Sequence, residues 1–450
     1  GVCGSAELHV GTNLHGIAEN LRQLERRMRI ALVVHKFPPA SLGGTEIYTL
    51  NLARALAARH TVAVLYRDDG DGKQDGVERE MRDGFQTWRV GRAFDPRRAN
   101  PAMLFQDTFF NPDIETVFRR FLAEFKPDLI HFQHLMSLSY RLPALAAGIP
   151  ALLTLHDYWF LCANSQLIWP DMQVCRGKAW GLNCARCATA RAGGPVLRFA
   201  RPLLAPVMQL RDGLIRNAAL HVGRFISPSR FLRERYLAAG FSATHFEVLE
   251  NGIDMSRFNV PWQPRPAQTP LRVTYLGSLA WQKGVHVLVE AARGISPQAL
   301  HIRVIGNLQT FPDYVQRLRA IADPDVITFD GAIDNARVAE VLANTDILAV
   351  PSLWYENSPV VIQEAHAAGV PVIASRLGAL TEKVRDGVDG LLVAPGDVET
   401  WHEALQELIS QPERLAALRA AVPKPLSFSE HLARLQEIYL GDYHANAATP

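Results

Sequence analysis

The sequence predicts an α/β protein built from two doubly wound, Rossmann-like domains, and three observations predict it. Short apolar, β-branched runs alternate with longer helical runs from residue 28 onward. Those short runs are continuously apolar rather than alternating, which is the pattern of parallel strands covered on both faces. The series also stops at a Pro-rich stretch, "VPWQPRPAQTP" (260–270), and then restarts.

In the first series the strand candidates are "RIALVV" (29–34), "TVAVLY" (61–66), "DLIHF" (128–132), "ALLTL" (151–155) and "FEVL" (246–249). The second series begins with "LRVTYL" (271–276) and continues through "HIRVI", "VITF", "DILAV", "PVIA" and "GLLV". Two such series imply two domains. The expected boundaries are 28–259 for the first, with a Cys-containing insertion at about 160–205, a linker at 260–270, and 271–428 for the second. A final helical segment within 429–442 follows the break at "PKPLSF" and either caps the second domain or packs back on the first. Residues 1–27 carry no long apolar run of a secretory signal. Met28 directly precedes the first strand and reads as the native start, with residues 1–27 as a leader or a disordered arm.

Composition narrows the function classes. The chain has 450 residues, 48% hydrophobic and 20% charged, and a formal net charge of +2. A balanced total gives no sign of a nucleic-acid binder. The longest apolar run, 142–155, is shorter than the roughly 20 residues of a membrane span and contains two prolines. Five cysteines in a chain this long do not make a disulfide scaffold, so a reducing, cytoplasmic setting is expected.

The stretch "WYENSPVVIQEAHAAGVPVIAS" (354–375) is apolar and Ala-rich, yet carries Glu356 and Glu364. It follows the strand "DILAV". Ser358 suits an N-cap, Pro359 the first helical position and Gly369 the C-terminal turn, which predicts a helix over 359–368. A helix N-terminus offers unpaired N–H groups to an anion, and acids around it accept hydrogen bonds from hydroxyls. A nucleotide sugar, with its diphosphate, ribose and sugar hydroxyls, fits that arrangement. "YLGSLAWQKGVHVLVEAA" (275–292) places Gly277, Ser278 and the Lys283-Gly284 helix start after the first strand of the second series. "FPPASLGGTE" (37–46) places Gly43 and Gly44 before a helix in the first, where a simple tight turn is an equal reading. "LLTLHDYWF" (152–160) puts His156 just past a strand. All four groups follow a strand's C-terminal end, the edge at which open α/β sheets bind ligands.

These motifs resemble the retaining GT-B glycosyltransferases of family 4, the glycogen-synthase-like enzymes with a Glu-x7-Glu motif. The resemblance extends through "GVPVIASRLGALTEKVRDGVDGLLVAPGD" (369–397) and covers nearly everything from Met28 to about residue 440. It implies that a UDP-, GDP- or ADP-sugar binds the second domain. Lys283 and the amides near Ser358 would hold the diphosphate, Glu364 the ribose and Glu356 the transferred sugar. The matching histidine, His156, would bond the donor sugar near the reacting centre. Catalytic roles fall to Glu356, His156 and Lys283, and donor contacts to Gly43, Gly44, Gly277, Ser278, Lys283, Asn357, Ser358, Pro359 and Glu364. Ser278 departs from the family's loop, where Arg is usual, and so lacks a bidentate phosphate donor. The acceptor implied is a saccharide or a lipid-diphosphate, in bacterial polysaccharide or glycolipid assembly at the inner membrane face. No metal is required for this chemistry. A nucleotide-sugar epimerase on the same fold and a non-catalytic scaffold subunit are the alternatives.

Two features stand outside the resemblance. Cys162, Cys175, Cys184 and Cys187 are spaced C-x12-C-x8-C-x2-C, which suits a structural zinc and also reads as unliganded or redox-labile thiols. Residues 171–220 hold eight Arg and Lys against two Asp, a local charge of +6. Arginines there mix with large apolar residues in "VLRFARPLLAPVMQLRDGLIRNAAL". That fits peripheral contact with an anionic bilayer, a lipid-diphosphate site, or a core-packed insertion with a solvated basic face.

Overall fold

The computed structural model describes residues 27–68, 76–91, 101–192, 199, 201–264 and 269–447. Its strands form two sheets. The first contains β1 (Arg29–Val34), β2 (Thr61–Asp68), β3 (Gly76–Arg82), β4 (Phe85–Gly91), β5 (Leu129–Phe132), β6 (Ala151–Thr154), β7 (Arg224–Ser227) and β8 (Phe246–Val248). Its order is β3-β4-β2-β1-β5-β6-β7-β8. The pairs β1-β2, β1-β5, β2-β4, β5-β6 and β7-β8 are parallel; the apolar runs predict β1, β2, β5, β6 and β8 but neither β4 nor β7.

The β3-β4 pair is antiparallel and was not expected. Its signal is a two-residue Asp83-Gly84 turn with positive φ at both positions, a favoured hairpin turn. β3 itself, "GVEREMR", is an exposed, charged edge strand, so it has no apolar periodicity to read. β7, only four residues long, also escapes the periodicity.

The second sheet contains β9 (Leu271–Leu276), β10 (Leu300–Ile305), β11 (Ile327–Gly331), β12 (Ile347–Val350), β13 (Val372–Ser375) and β14 (Gly390–Val393), in the order β11-β10-β9-β12-β13-β14. Every pair is parallel. Alternate residues enter two cores: Ile347, Ala349 and Ile373 lie in one, Leu348, Val350, Val372 and Ala374 in the other. Both faces are therefore buried, which is why these strands read as unbroken apolar runs.

The chain divides into two compact units, one comprising Gly1–Leu153, Leu220–Arg224 and Arg434–Pro450, the other Thr154–Ala219 and Phe225–Ala433. The helices that frame the candidate sites are α1 (Gly44–Ala57), α2 (Pro112–Phe125), α3 (Leu182–Ala192), α4 (Arg201–Ala219), α5 (Arg230–Ala238), α6 (Val285–Ala291), α7 (Val360–Ala367) and α8 (Phe428–Ala447). Within the first unit, α2 starts on Asn111, whose side chain accepts from the Ile114 amide, and ends on left-handed Lys126. Tyr439 of α8 is fully buried against His131 of β5, O to Nδ1 2.6 Å. In the second unit the Pro-rich stretch is anchored by Trp262, whose Nε1 donates to the Thr345 carbonyl at 3.1 Å beneath the Arg419 guanidinium. Among the described residues no helix is long and apolar enough to cross a membrane.

Candidate functional site

The second unit brings the two glutamates of the 354–375 stretch and Lys283 to one edge of its sheet. β9 leads through Gly277 and exposed Ser278 to a 3-10 turn, Trp281–Lys283. Gly284 then adopts a left-handed conformation, φ +70°. A Cβ there would lie 1.9 Å from the Pro351 carbonyl oxygen, so only glycine allows the approach. The Leu353 amide donates to the Gln282 carbonyl at 2.8 Å across the same contact. These backbone contacts dock the Lys283 loop on the loop that follows β12.

Docking places Lys283 Nζ 2.7 Å from Glu356 Oε1. The same oxygen accepts from Ser352 Oγ at 2.7 Å and Trp354 Nε1 at 2.8 Å. All three bonds end on Oε1, and none from the described residues ends on Oε2. Lys283 Nζ also lies 5.1 Å from the centre of the Trp354 ring. Burial alone would raise the Glu356 carboxyl, but the Lys283 charge and the three hydrogen bonds outweigh it and hold it below the ordinary value.

Glu364 lies on α7 in a different environment. It is 9% exposed, and the nearest cation is Arg257, 3.7 Å away. Arg257 also donates to the Asn335 side-chain oxygen at 3.0 Å and to its carbonyl. Burial dominates, and the Glu364 carboxyl is pushed up to about 7 despite Arg257. Its neighbour Gln363 donates to the Asn251 carbonyl at 2.5 Å.

The start of α7 differs from the expected one. Pro359, not Ser358, takes the N-cap position, with φ −67° and ψ 110°, and the helix runs Val360–Ala367. The Ile362 amide bonds the Pro359 carbonyl at 3.1 Å. Ser358 is thereby left one residue outside the helix. Among the described residues its buried Oγ has no hydrogen-bond partner, and neither has the buried Asn357 Oδ1. The two atoms belong to consecutive residues of the loop that carries Glu356. Gly369 ends the helix as expected, with φ +67°.

His156 follows β6, and its carbonyl accepts from Asn357 Nδ2 at 2.6 Å. That bond ties the His156-Asp157 turn to the α7 loop. Asp157 caps the Trp159 amide at 2.8 Å, and its carbonyl accepts from Tyr236 at 3.0 Å. Glu382 accepts from the Arg230 amide at 2.9 Å and from the Phe231 amide, at the start of α5. Sequence reasoning missed Ser352, Trp354, Arg257 and Glu382. The first two sit four and two residues before Glu356, within loop "PSLWYEN", and were in view. Arg257 and Glu382 are contacts that only the fold supplies.

Gly43 and Gly44 belong to the first unit. Gly43 is the N-cap of α1, with no side-chain cap bond. A Cβ on it would lie 2.5 Å from Glu46 Oε2. Buried Glu46 accepts from Ser41 Oγ at 2.7 Å and faces His35 Nε2 at 3.7 Å, an acid the motif reading did not single out.

The four clustered cysteines are free thiols. Cys162 Sγ donates to Asn164 Oδ1 at 2.6 Å, Cys175 Sγ faces the Gly177 carbonyl at 3.7 Å, and Cys187 Sγ the Ile168 carbonyl at 4.0 Å. Burial pushes the Cys184 and Cys187 thiols up to about 11. Among the described residues no group of three or more His, Cys, Asp or Glu side chains is arranged to hold a metal ion. A zinc held by all four would require the Cys162, Cys175 and Cys187 thiols to turn from their present acceptors.

Two α/β sheets, parallel throughout except for the β3-β4 hairpin, are consistent with a GT-B fold. Comparison with known proteins identifies the family. Residues 42–257 match the model described as Glycosyltransferase Family 4, and residues 270–411 that described as Glycosyl transferases group 1. The chain belongs to the family 4 glycosyltransferases of GT-B fold. A D-inositol 3-phosphate glycosyltransferase from Rhodococcus erythropolis is 32% identical over 212 residues, 44% of this chain and 47% of that protein. The chain thus spans about half the length of the first curated relatives it matches. A glycogen synthase from Mycobacterium tuberculosis is 25% identical over 434 residues, 92% of this chain and 94% of that one. Among solved structures, sucrose-phosphate synthase from Thermosynechococcus elongatus superposes with a TM-score of 0.64 at 22% identity, covering 93% of this chain and all of that one. HepE from Anabaena, solved in complex with UDP and glucose, gives 0.62 at 18% identity, covering 92% and 100%.

Proposed function

We propose that this protein is a glycosyltransferase that moves a hexosyl group from a nucleotide-sugar donor to a saccharide or lipid-linked acceptor with retention of configuration. The observation that carries the reading is the Lys283–Glu356 pair beside the orphaned Ser358 Oγ and Asn357 Oδ1. A cation, an anion with one uncommitted oxygen and two unpaired polar atoms suit a ligand with a diphosphate and several hydroxyls. The complex of HepE with UDP and glucose supports a donor of that class.

In this reading Lys283 and the amides at the start of α7 neutralise the diphosphate as it leaves. Glu356, fixed by three bonds to Oε1, presents Oε2 to a hydroxyl of the transferred sugar. Glu364 accepts from the ribose hydroxyls. His156 supplies a further hydrogen bond to the donor sugar, and the leaving phosphate takes the acceptor's proton on the same face. No metal enters this chemistry. The reaction belongs to polysaccharide or glycolipid assembly at the cytoplasmic face of a membrane.

A panel of UDP-, GDP- and ADP-sugars scored by thermal shift tests the donor assignment. One donor should raise the melting temperature of wild type, in line with ligand linkage, and not that of Glu364→Ala. Product analysis with and without a saccharide acceptor then separates transfer from epimerisation. A sugar nucleotide that binds, with no transfer to any acceptor, would overturn the activity while keeping the donor site.

A further inference from the structure

In the second unit the loop "ENGIDMSRF" (250–258) is tied to two helices. The Ile253 amide donates to the Leu426 carbonyl at 3.1 Å, and the Ile253 carbonyl accepts from the Phe428 amide at 2.7 Å. A Cβ on Gly252 would lie 2.5 Å from His431 Cβ and 2.6 Å from the Ser427 carbonyl oxygen, so this backbone rests directly on the start of α8. Gln363 of α7 donates to the Asn251 carbonyl. The loop ends in a 3-10 turn, Met255–Phe258, whose cap Asp254 accepts from the Ser256 amide at 3.0 Å.

These bonds deliver Arg257 to a place between two other elements. Its Nη2 donates to the Asn335 carbonyl and to the Asn335 side-chain oxygen at 3.0 Å, while Nη1 lies 3.7 Å from Glu364 Oε1. Asn335 opens a second 3-10 turn, Asn335–Arg337, which Asp334 caps through the Ala336 amide at 2.9 Å. At 3.7 Å the arm toward Glu364 makes an ion pair and not a hydrogen bond. Among the described residues Arg257 is the only charged group that opposes the effect of burial on the Glu364 carboxyl. The planar guanidinium serves both elements at once through its rigid fork. Glu364 is thus steered by a single cation whose other arm is anchored on a separate turn.

We propose that Arg257 is a positioning residue for the donor, acting through Glu364: anchored on the Asn335 turn, it keeps the carboxylate charged and directed at the ribose hydroxyls. This role rests on the donor site proposed above. Calorimetric titration of wild type, Arg257→Met and Arg257→Lys with UDP, GDP and ADP and their 2′-deoxy counterparts, from pH 6 to pH 9, tests it. The ribose form that binds wild type should gain affinity as pH rises, because the ionised carboxyl is purely an acceptor. Without the cation burial is unopposed, so in Arg257→Met that rise should move up by about one pH unit or more. Affinity at pH 7 should then fall about fivefold or more, and Arg257→Lys should recover part of it. The preference for ribose over 2′-deoxyribose should shrink in Arg257→Met. Equal weakening of both forms, or an unmoved pH profile, would overturn the role, since Arg257 would then only hold the loop or meet the phosphates. If wild type binds no ribose form, or does not prefer it to the 2′-deoxy form, the donor site itself falls and this role with it. Urea denaturation without ligand gives a second readout: Arg257→Met should cost more stability at pH 8 in wild type than in Glu364→Gln. An equal cost in both would mean that Arg257 does not act on Glu364.

Discussion

Glu364→Gln should make the protein more stable in neutral and alkaline buffer, although it removes a residue of the Glu-x7-Glu motif. Burial lifts the Glu364 carboxyl from its ordinary 4.5 to about 7 in the folded state. Between those values the folded chain holds a proton that the unfolded chain has released. Stability therefore falls as pH rises from about 4.5 to about 7. Above pH 7 the full penalty is present, about 3 kcal/mol at most by the conversion of 1.36 kcal/mol per pH unit. Below pH 4.5 both states are protonated and the penalty vanishes. Glutamine keeps the shape without the charge, so it relieves the penalty at pH 8 and changes little at pH 5. Urea denaturation of both proteins at the two pH values reads the difference. The expected gain is about 1–3 kcal/mol at pH 8 and near zero at pH 5. An equal effect at both pH values, or a loss at pH 8, would refute the reasoning, since it would mean that Arg257 already compensates the buried charge. The same variant should lose donor-dependent thermal stabilisation if the ribose hydroxyls need a carboxylate.

Other outcomes rest on the same contacts. Lys283→Met leaves the buried Glu356 carboxylate without its cation and should cost about 2–4 kcal/mol at pH 8. The loss should shrink as the medium is acidified through the lowered Glu356 value, because a protonated carboxyl needs no partner; chemical denaturation across pH tests this. Gly284→Ala puts a Cβ 1.9 Å from the Pro351 oxygen at a left-handed residue and should destabilise by about 2 kcal/mol or more. If Gly284→Ala unfolds at the same denaturant concentration as wild type, the close docking of the two loops is wrong. Trp354→Phe keeps the ring over Lys283 but removes one donor to Glu356; it should lower kcat about tenfold with donor KM little changed.

How much of this was legible depended on whether the signal was local. The second sheet's strands were legible because both faces are buried, which forces an unbroken apolar run. The edge strand β3 was not, because an edge strand needs no apolar face; β4 buries three apolar side chains, Phe85, Trp88 and Val90, among polar residues, and Asp83-Gly84 is the signal of the hairpin. Lys283, Glu356 and Glu364 were legible as motif residues, but their electrostatics were not. No rule of spacing places Gly284 against Pro351 or brings Arg257 within reach of Glu364. The start of α7 shows the limit on a smaller scale. Ser-Pro reads as N-cap and first helical residue by composition, yet Pro359 at ψ 110° moves the cap one residue on. That shift frees the Ser358 hydroxyl, which a cap would have consumed.

The two glutamates of one motif are thus held in opposite protonation regimes by their surroundings. Glu356 is as buried as Glu364, but three donors, one of them a lysine, keep it anionic at every physiological pH. Glu364, with only a shared arginine nearby, titrates near neutrality. Under the proposed function that difference divides the labour. The anion fixed beside Lys283 can hold a hydroxyl next to the departing diphosphate without taking a proton from it or giving one. The poised carboxyl can accept ribose hydroxyls once donor binding draws its proton off, so donor affinity should rise with pH through about 7 while the geometry at Glu356 stays unchanged. Donor titrations at pH 6 and pH 8 would show that rise in wild type and its absence in Glu364→Gln. A rise that persists in the variant would place the titrating group elsewhere.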